Sequence, residues 1–166
     1  MKALLAIPIM GLVVIVQSAI FSRINVLAGC PDLVLLVVAG WGLQPNARYG
    51  WIWAGLAGLM VGYVSGVNMV VMLIGYLLVM GLAQLVRRLV WQAPLLAMFA
   101  VTGLGTLAML LITYVSLWIQ GSQLVLGEVF IQIILPSLLF NLLLSLPVYP
   151  VMHDLSLWIH PSEMEV

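Results

Sequence analysis

The sequence predicts an all-α polytopic membrane protein, and three observations carry that prediction. Of its 166 residues 65% are hydrophobic and only 6% charged, with a mean hydropathy of +1.28. An ordinary soluble surface needs about a quarter charged residues. The charged side chains, Lys2, Arg23, Asp32, Arg48, Arg87, Arg88, Glu128, Asp154, Glu163 and Glu165, all stand at the ends of apolar runs and none in the middle of one. The runs are continuous rather than alternating, which disfavours a barrel of dyad-repeat strands. Helices are the other structure that satisfies every backbone group in hydrocarbon. A bilayer core about 30 Å thick takes about 20 helical residues per span, so residues 1–166 fit about six spans in a single domain.

The first span, residues 3–21, follows Lys2 and ends at Ser22-Arg23-Ile24-Asn25. Lys2 before an apolar stretch also suits a secretory signal. The run continues through Ile20 and Phe21, however, and Gln17-Ser18-Ala19 is a poor cleavage site, so the segment reads as an uncleaved span. The second span, residues 31–43, opens at Pro31-Asp32, because proline presets φ at the first helical position and a carboxylate is stabilised in the first turn. It breaks at Gln44-Pro45-Asn46, a turn signal. The third, residues 49–64, breaks at Ser65-Gly66. Both are short for a crossing and sit either in a thinned bilayer or sheltered by neighbours. A re-entrant hairpin would leave Arg48 near the midplane at a cost of at least about 2.5–3.5 kcal/mol, so two crossings with Arg48 in water are preferred.

The fourth span, residues 67–86, stops at Arg87-Arg88, and the fifth, residues 94–119, starts on Pro94. A loop over residues 120–128 leads to the sixth, residues 129–146, which contains Pro136 and exits at Pro147 and Pro150. Residues 151–160 place Val151, Leu155, Trp158 and Ile159 on one side at helical spacing, the pattern of a short interfacial helix. Tryptophans 51, 53, 91, 118 and 158 fall near span ends, as an aromatic belt requires. With a cytoplasmic N-terminus, Lys2, Arg48, Arg87 and Arg88 lie inside and only Arg23 outside, a positive-inside bias that puts both termini in the cytoplasm.

Gly58-x-x-x-Gly62-x-x-x-Gly66, extended backwards by Ala54, lines one face of the third span with small residues. Such a face lets another backbone approach closely, within the protomer or from a partner. Asp32 could mark a proton or cation site, but a carboxylate in a first turn is stabilised locally by the helix dipole, and Arg23 could pair with it. Structural capping is the preferred reading. Asn141 sits inside an apolar span, where a buried amide needs a partner. Pro136, about one turn earlier, would free a backbone carbonyl and bend the helix. The two read as a kinked polar packing point, with partner binding as the alternative. Arg87-Arg88 is a stop and orientation signal with anionic-lipid contact added, and Arg48 belongs to the same basic side.

His153 and His160, with Asp154, are weak grounds for a metal. The lone cysteine, Cys30, excludes an intramolecular disulfide and a cysteine-based metal cluster. No basic stripe suits nucleic acid. No nucleophile–His–acid pattern, phosphate loop or pair of carboxylates within a span is visible, so neither an enzyme nor a cofactor is expected.

Several short patterns resemble MreD, the bacterial rod shape-determining membrane protein family. Gly29-x-Pro31-Asp32-Leu33-Val34-Leu35-Leu36 is similar to the start of that family's second span. Gly55 to Gly66, with Gly58-Leu59 and Ser65-Gly66, resembles its next segment, and Gly75-Tyr76-Leu77 its fourth span. Leu135-Pro136-x-x-x-x-Asn141 and Leu146-Pro147-x-Tyr149-Pro150 resemble its last. The likeness covers most of the chain, and the six-span plan fits. It implies a non-enzymatic scaffold of the cell-elongation machinery in the bacterial cytoplasmic membrane. Such a subunit would bind MreC and connect indirectly to MreB, RodA and a class B penicillin-binding protein. It also implies a fold like the substrate-binding subunits of energy-coupling-factor vitamin transporters, which makes such a subunit the alternative function. A vitamin pocket should need several convergent polar groups; the outer halves offer few beyond Asp32, Asn68, Gln120 and Gln123, which favours the scaffold. A lipid-phosphate handler would want more cations on one face than Arg87-Arg88. Many members carry an acid where this sequence has Gly62, so no role tied to that acid carries over.

Overall fold

The computed structural model describes residues 5–19, 28–45, 49–90 and 92–159. Six helices make up the regular structure of these residues, with no β-strand among them: α1 (Ala6–Ala19), α2 (Leu33–Gly42), α3 (Gly50–Val64), α4 (Met69–Leu89), α5 (Pro94–Ile119) and α6 (Leu126–Ile159). The described chain is all-helical, and α4, α5 and α6 are long and apolar enough to cross a bilayer. Over the described residues the other three span 14, 10 and 15 residues, and α2 and α3 are shorter than a full crossing needs.

The shortest helix is the centre of the molecule. α2 touches all five others, while α1, α3, α4, α5 and α6 follow one another in an arc around it. All of its residues from Val34 to Gly42 are buried, which explains why it lacks an apolar stripe and is hydrophobic all round. Of the two explanations for its shortness, shelter by neighbours is the one observed.

Lipid tails are as apolar as leucine, so close packing rather than water exclusion must hold such helices together. Small residues supply the closeness. A Cβ on Gly58 would stand 2.5 Å from Leu73 Cα, and one on Gly62 2.9 Å from Met69 Cα. Together with buried Ala54, these residues form the seam of the α3–α4 hairpin, so the small-residue face packs within the protomer. Gly66 lies beyond the helix with nothing within 4 Å and is not part of the seam. Trp41 and Trp53 stack with centroids 4.2 Å apart, both 1% exposed, and lock α2 to α3.

Helix ends follow their local chemistry. Asn68 caps α4 by accepting the Val70 N–H at 2.9 Å. α5 stops in a Schellman motif: Gly121 at φ +89° directs its N–H to Trp118 O, and Ser122 N–H returns to Leu117 O.

Three expectations need correction. Residues 151–159 are not a separate interfacial helix; α6 runs unbroken through Pro147 and Pro150 to Ile159. Its last turns are held by packing, with Met152, Ser156 and Ile159 buried and Met152 against Gly40. Of the residues placed on one side of this segment, Ile159 is buried while Val151 and Trp158 are 62% and 74% exposed, so they do not share one environment. Trp53 belongs to the core rather than to an aromatic belt, unlike exposed Trp51, Trp118 and Trp158. Pro31 precedes α2 rather than opening it, because the Asp32 carboxylate is used as the cap. Lys2, Arg23, Arg48, Trp91 and His160 lie outside the described residues.

Candidate functional site

The chain enters α2 through an extended stretch, Ala28 to Asp32, laid along α6. Three backbone N–H groups of this stretch are bonded to successive turns of α6. Ala28 N–H donates to Gln132 O at 3.1 Å, Cys30 N–H to Ser137 Oγ at 3.1 Å, and Asp32 N–H to Asn141 Oδ1 at 2.7 Å. The first bond exists because Pro136 has no N–H: the carbonyl four residues earlier, Gln132 O, is left without its helical donor. A π-helical turn at Phe130–Ile134 accompanies the proline. Gly29 makes the approach possible, since a Cβ there would stand 2.6 Å from Pro136 Cβ and 2.9 Å from Ser137 N.

The start of α2 is therefore deep. Its cap lies beside Tyr76, about 10 Å along α4, and near Thr106, about 20 Å from the end of α5 at about 1.5 Å per residue. Non-helical backbone at such depth needs hydrogen-bond partners from the protein, and the helix start finds several. Val34 N–H donates to Gln17 Oε1 of α1 at 2.9 Å and Leu35 N–H to Asp32 Oδ1 at 2.9 Å. These satisfy donors that every helix N-terminus leaves open. The Asp32 carboxylate also accepts from Tyr76 Oη of α4, at 3.0 and 3.2 Å, and from the Gln17 side chain. Asn141 Nδ2 donates to Thr106 Oγ1 of α5 at 2.9 Å. Five helices thus converge on one polar node. A space of about 30 Å³ beside it, lined by Cys30, Asp32, Thr106, Ser137 and Asn141 among others, suits one water and nothing larger.

A second polar cluster closes the other end of α2. Buried Gln44 donates through Nε2 to Gly40 O at 3.1 Å, and its Oε1 faces His153 Nδ1 of α6 at 3.1 Å. Its backbone carbonyl accepts from the Arg87 guanidinium of α4. One glutamine therefore ties α2, α4 and α6 together.

Sequence reasoning singled out Pro31, Asp32, Pro136 and Asn141, and the structure gathers all four at the first node. Ala54, Gly58 and Gly62 form the separate α3–α4 seam, with Gly66 outside it. At residue 62 the α4 backbone shuts out any side chain, so an acid at this position would have no room in this chain. Arg87 reaches the second cluster; Arg88 is exposed. Gln17, Tyr76, Thr106 and Gln44 were not singled out as site residues. A polar side chain inside an apolar run marked Gln17 and Thr106, and Tyr76 stood within the Gly75-Tyr76-Leu77 pattern. Gln44 looked like an ordinary turn residue. No protein-family model, curated protein or solved structure matches the chain.

Proposed function

We propose that this chain is a non-enzymatic membrane scaffold of the MreD type, crossing the bacterial cytoplasmic membrane six times with both termini in the cytoplasm. Its direct partner on this reading is MreC, through that protein's single span and membrane-proximal region. MreB, RodA and a class B penicillin-binding protein are reached indirectly. One observation carries the reading over a vitamin-binding subunit. The polar side chains near the start of α2 are turned onto each other, and the space left among them, about 30 Å³, is far below the roughly 300 Å³ a small-molecule site needs, while the larger space of about 380 Å³ beside Asn68, Ser116 and Gln120 is lined mostly by apolar side chains. A further support is that the family-like patterns around Pro31-Asp32 and Pro136–Asn141 bond to one another, Asp32 N–H to Asn141 Oδ1 at 2.7 Å. They form one structural unit, as a resemblance based on both patterns requires.

The surface this reading assigns to the partner helix is a cleft of about 420 Å³ lined by Trp51 of α3 and by Ile74, Leu78, Gly81 and Leu85 of α4, among other apolar residues. A glycine on an apolar helix face allows close helix approach. Co-expression with the neighbouring genes and purification in mild detergent tests the proposal. A single-span coiled-coil protein should co-purify at fixed stoichiometry, and a Leu78→Cys variant should cross-link to its membrane helix. Recovery of the chain alone, with a vitamin bound by mass spectrometry, would replace the scaffold with the transporter subunit.

A further inference from the structure

At the Arg87 end of the bundle lies a cavity of about 340 Å³, lined by Gln44 and Pro45 after α2, Arg87 and Val90 of the α4 end, Pro94 and Ala97 of α5, and Tyr149 and His153 of α6. We propose that this cavity binds the phosphate group of an anionic membrane phospholipid. It combines fixed donors for an anion with apolar walls for the acyl chains.

Arg87 spends one N–H on Gln44 O, which fixes the guanidinium at the cavity edge and leaves the rest of its five donors. Among the described residues no carboxylate pairs with it. His153 is oriented by the same residue. Gln44 Nε2 is committed to Gly40 O, so Oε1 is the acceptor facing His153 Nδ1, which assigns the ring proton to Nδ1. The Tyr149 ring lies nearly parallel to the imidazole, at 16° and 6.4 Å, and carries a hydroxyl.

The start of α5 adds to this. Its N-cap, Ala93, offers no side-chain hydrogen bond, and Pro94 opens the helix. Pro94 and Ala97, in the first turn of this 26-residue helix, line the cavity. An anion there is stabilised by the helix dipole. Asp154, next to His153 in sequence, does not line the cavity.

The occupant is a lipid rather than a soluble phosphate for a physical reason. The same walls carry Leu43, Val90 and Ala97, and exposed Leu89 and Leu96 continue the apolar surface outward at 70% and 61% exposure. Acyl chains fit that continuation and a hydrated inorganic ion does not.

The test uses purified full-length chain, stripped of lipid in a neutral detergent and titrated with phosphatidylglycerol, the phosphate-free diacylglycerol or inorganic phosphate, with bound lipid counted by native mass spectrometry. One phosphatidylglycerol should bind per chain, at least about tenfold more tightly than diacylglycerol, the size of a charge-assisted hydrogen-bond contribution. Arg87→Gln should abolish the preference, whereas Arg88→Gln, which removes the same charge from an exposed neighbour, should keep it. Val90→Trp fills the cavity without touching a donor and should also abolish binding. It keeps the test valid if Arg87→Gln proves unstable. Equal losses in Arg87→Gln and Arg88→Gln, or full binding by Val90→Trp, would overturn the site. Displacement of the lipid by millimolar inorganic phosphate would overturn the lipid assignment.

Discussion

Alanine at position 29 is the smallest change that separates this architecture from a generic apolar bundle. A Cβ there would stand 2.6 Å from Pro136 Cβ and 2.9 Å from Ser137 N, where ordinary contact is about 3.5–4.0 Å. The obstructing atoms belong to a proline ring and a helix backbone, so the extended stretch must lift by about 1 Å to restore contact distance. That lift takes the Ala28–Gln132 and Cys30–Ser137 bonds, both 3.1 Å, beyond bonding range. Two bonds at about 0.5–1.5 kcal/mol each, with about 1 kcal/mol of residual strain, make Gly29→Ala cost about 2–4 kcal/mol. Gly103→Ala is the matched control. It lies within α5 with nothing within 4 Å of the new Cβ, so helix propensity should make it neutral or stabilising by about 0.5–1 kcal/mol. Equilibrium unfolding in mixed micelles, titrated with sodium dodecyl sulfate, measures both. A Gly29→Ala protein as stable as wild type would refute the reasoning about the α2 entry.

Asn141→Leu should cost about 2 kcal/mol in the same titration, because it strands the Asp32 N–H and the Thr106 hydroxyl inside the bundle. Membrane hydrogen bonds average only about 0.6 kcal/mol where the unfolded chain finds other partners; a cost that low would mean the α2 entry is not held as described. Adding Thr106→Val to Asn141→Leu should cost little more, since the two residues share one bond. On the small-residue stripe, Gly58→Leu should destroy monodisperse expression, with α4 backbone 2.5 Å from its Cβ, whereas Gly66→Ala should be tolerated. Equal behaviour of the two, read by size-exclusion chromatography, would remove the α3–α4 seam.

Hydropathy made the helices legible because each apolar run had to find its own ends. The fifth span matches α5 at both ends, Pro94 and Ile119, where a proline and a glycine turn punctuate the chain. The continuation of α6 was not legible: Pro147 and Pro150 signal an exit in isolation, and only the burial of Met152, Ser156 and Ile159 against the bundle keeps the helix going. Prolines inside membrane helices are tolerated where neighbours re-satisfy the backbone. Four residues of the polar node were legible one by one as polar or helix-breaking groups among hydrocarbon neighbours. Their convergence was not, because Asp32 and Asn141 are 109 positions apart and no periodicity links them. The cluster around Gln44 was hidden for a different reason. Glutamine before proline reads as a solvated turn, yet here it is fully buried and bonds three helices.

The most direct test of the account is where lipid touches the chain. A photoactivatable diazirine lipid, cross-linked in proteoliposomes and mapped by mass spectrometry, should label Leu12, Leu78, Leu104 and Leu143, which are 63%, 46%, 52% and 66% exposed. It should leave Val34 to Gly42 unlabelled, since every residue of that stretch is buried. Label spread along α2 would contradict the arrangement of five helices around a sheltered sixth.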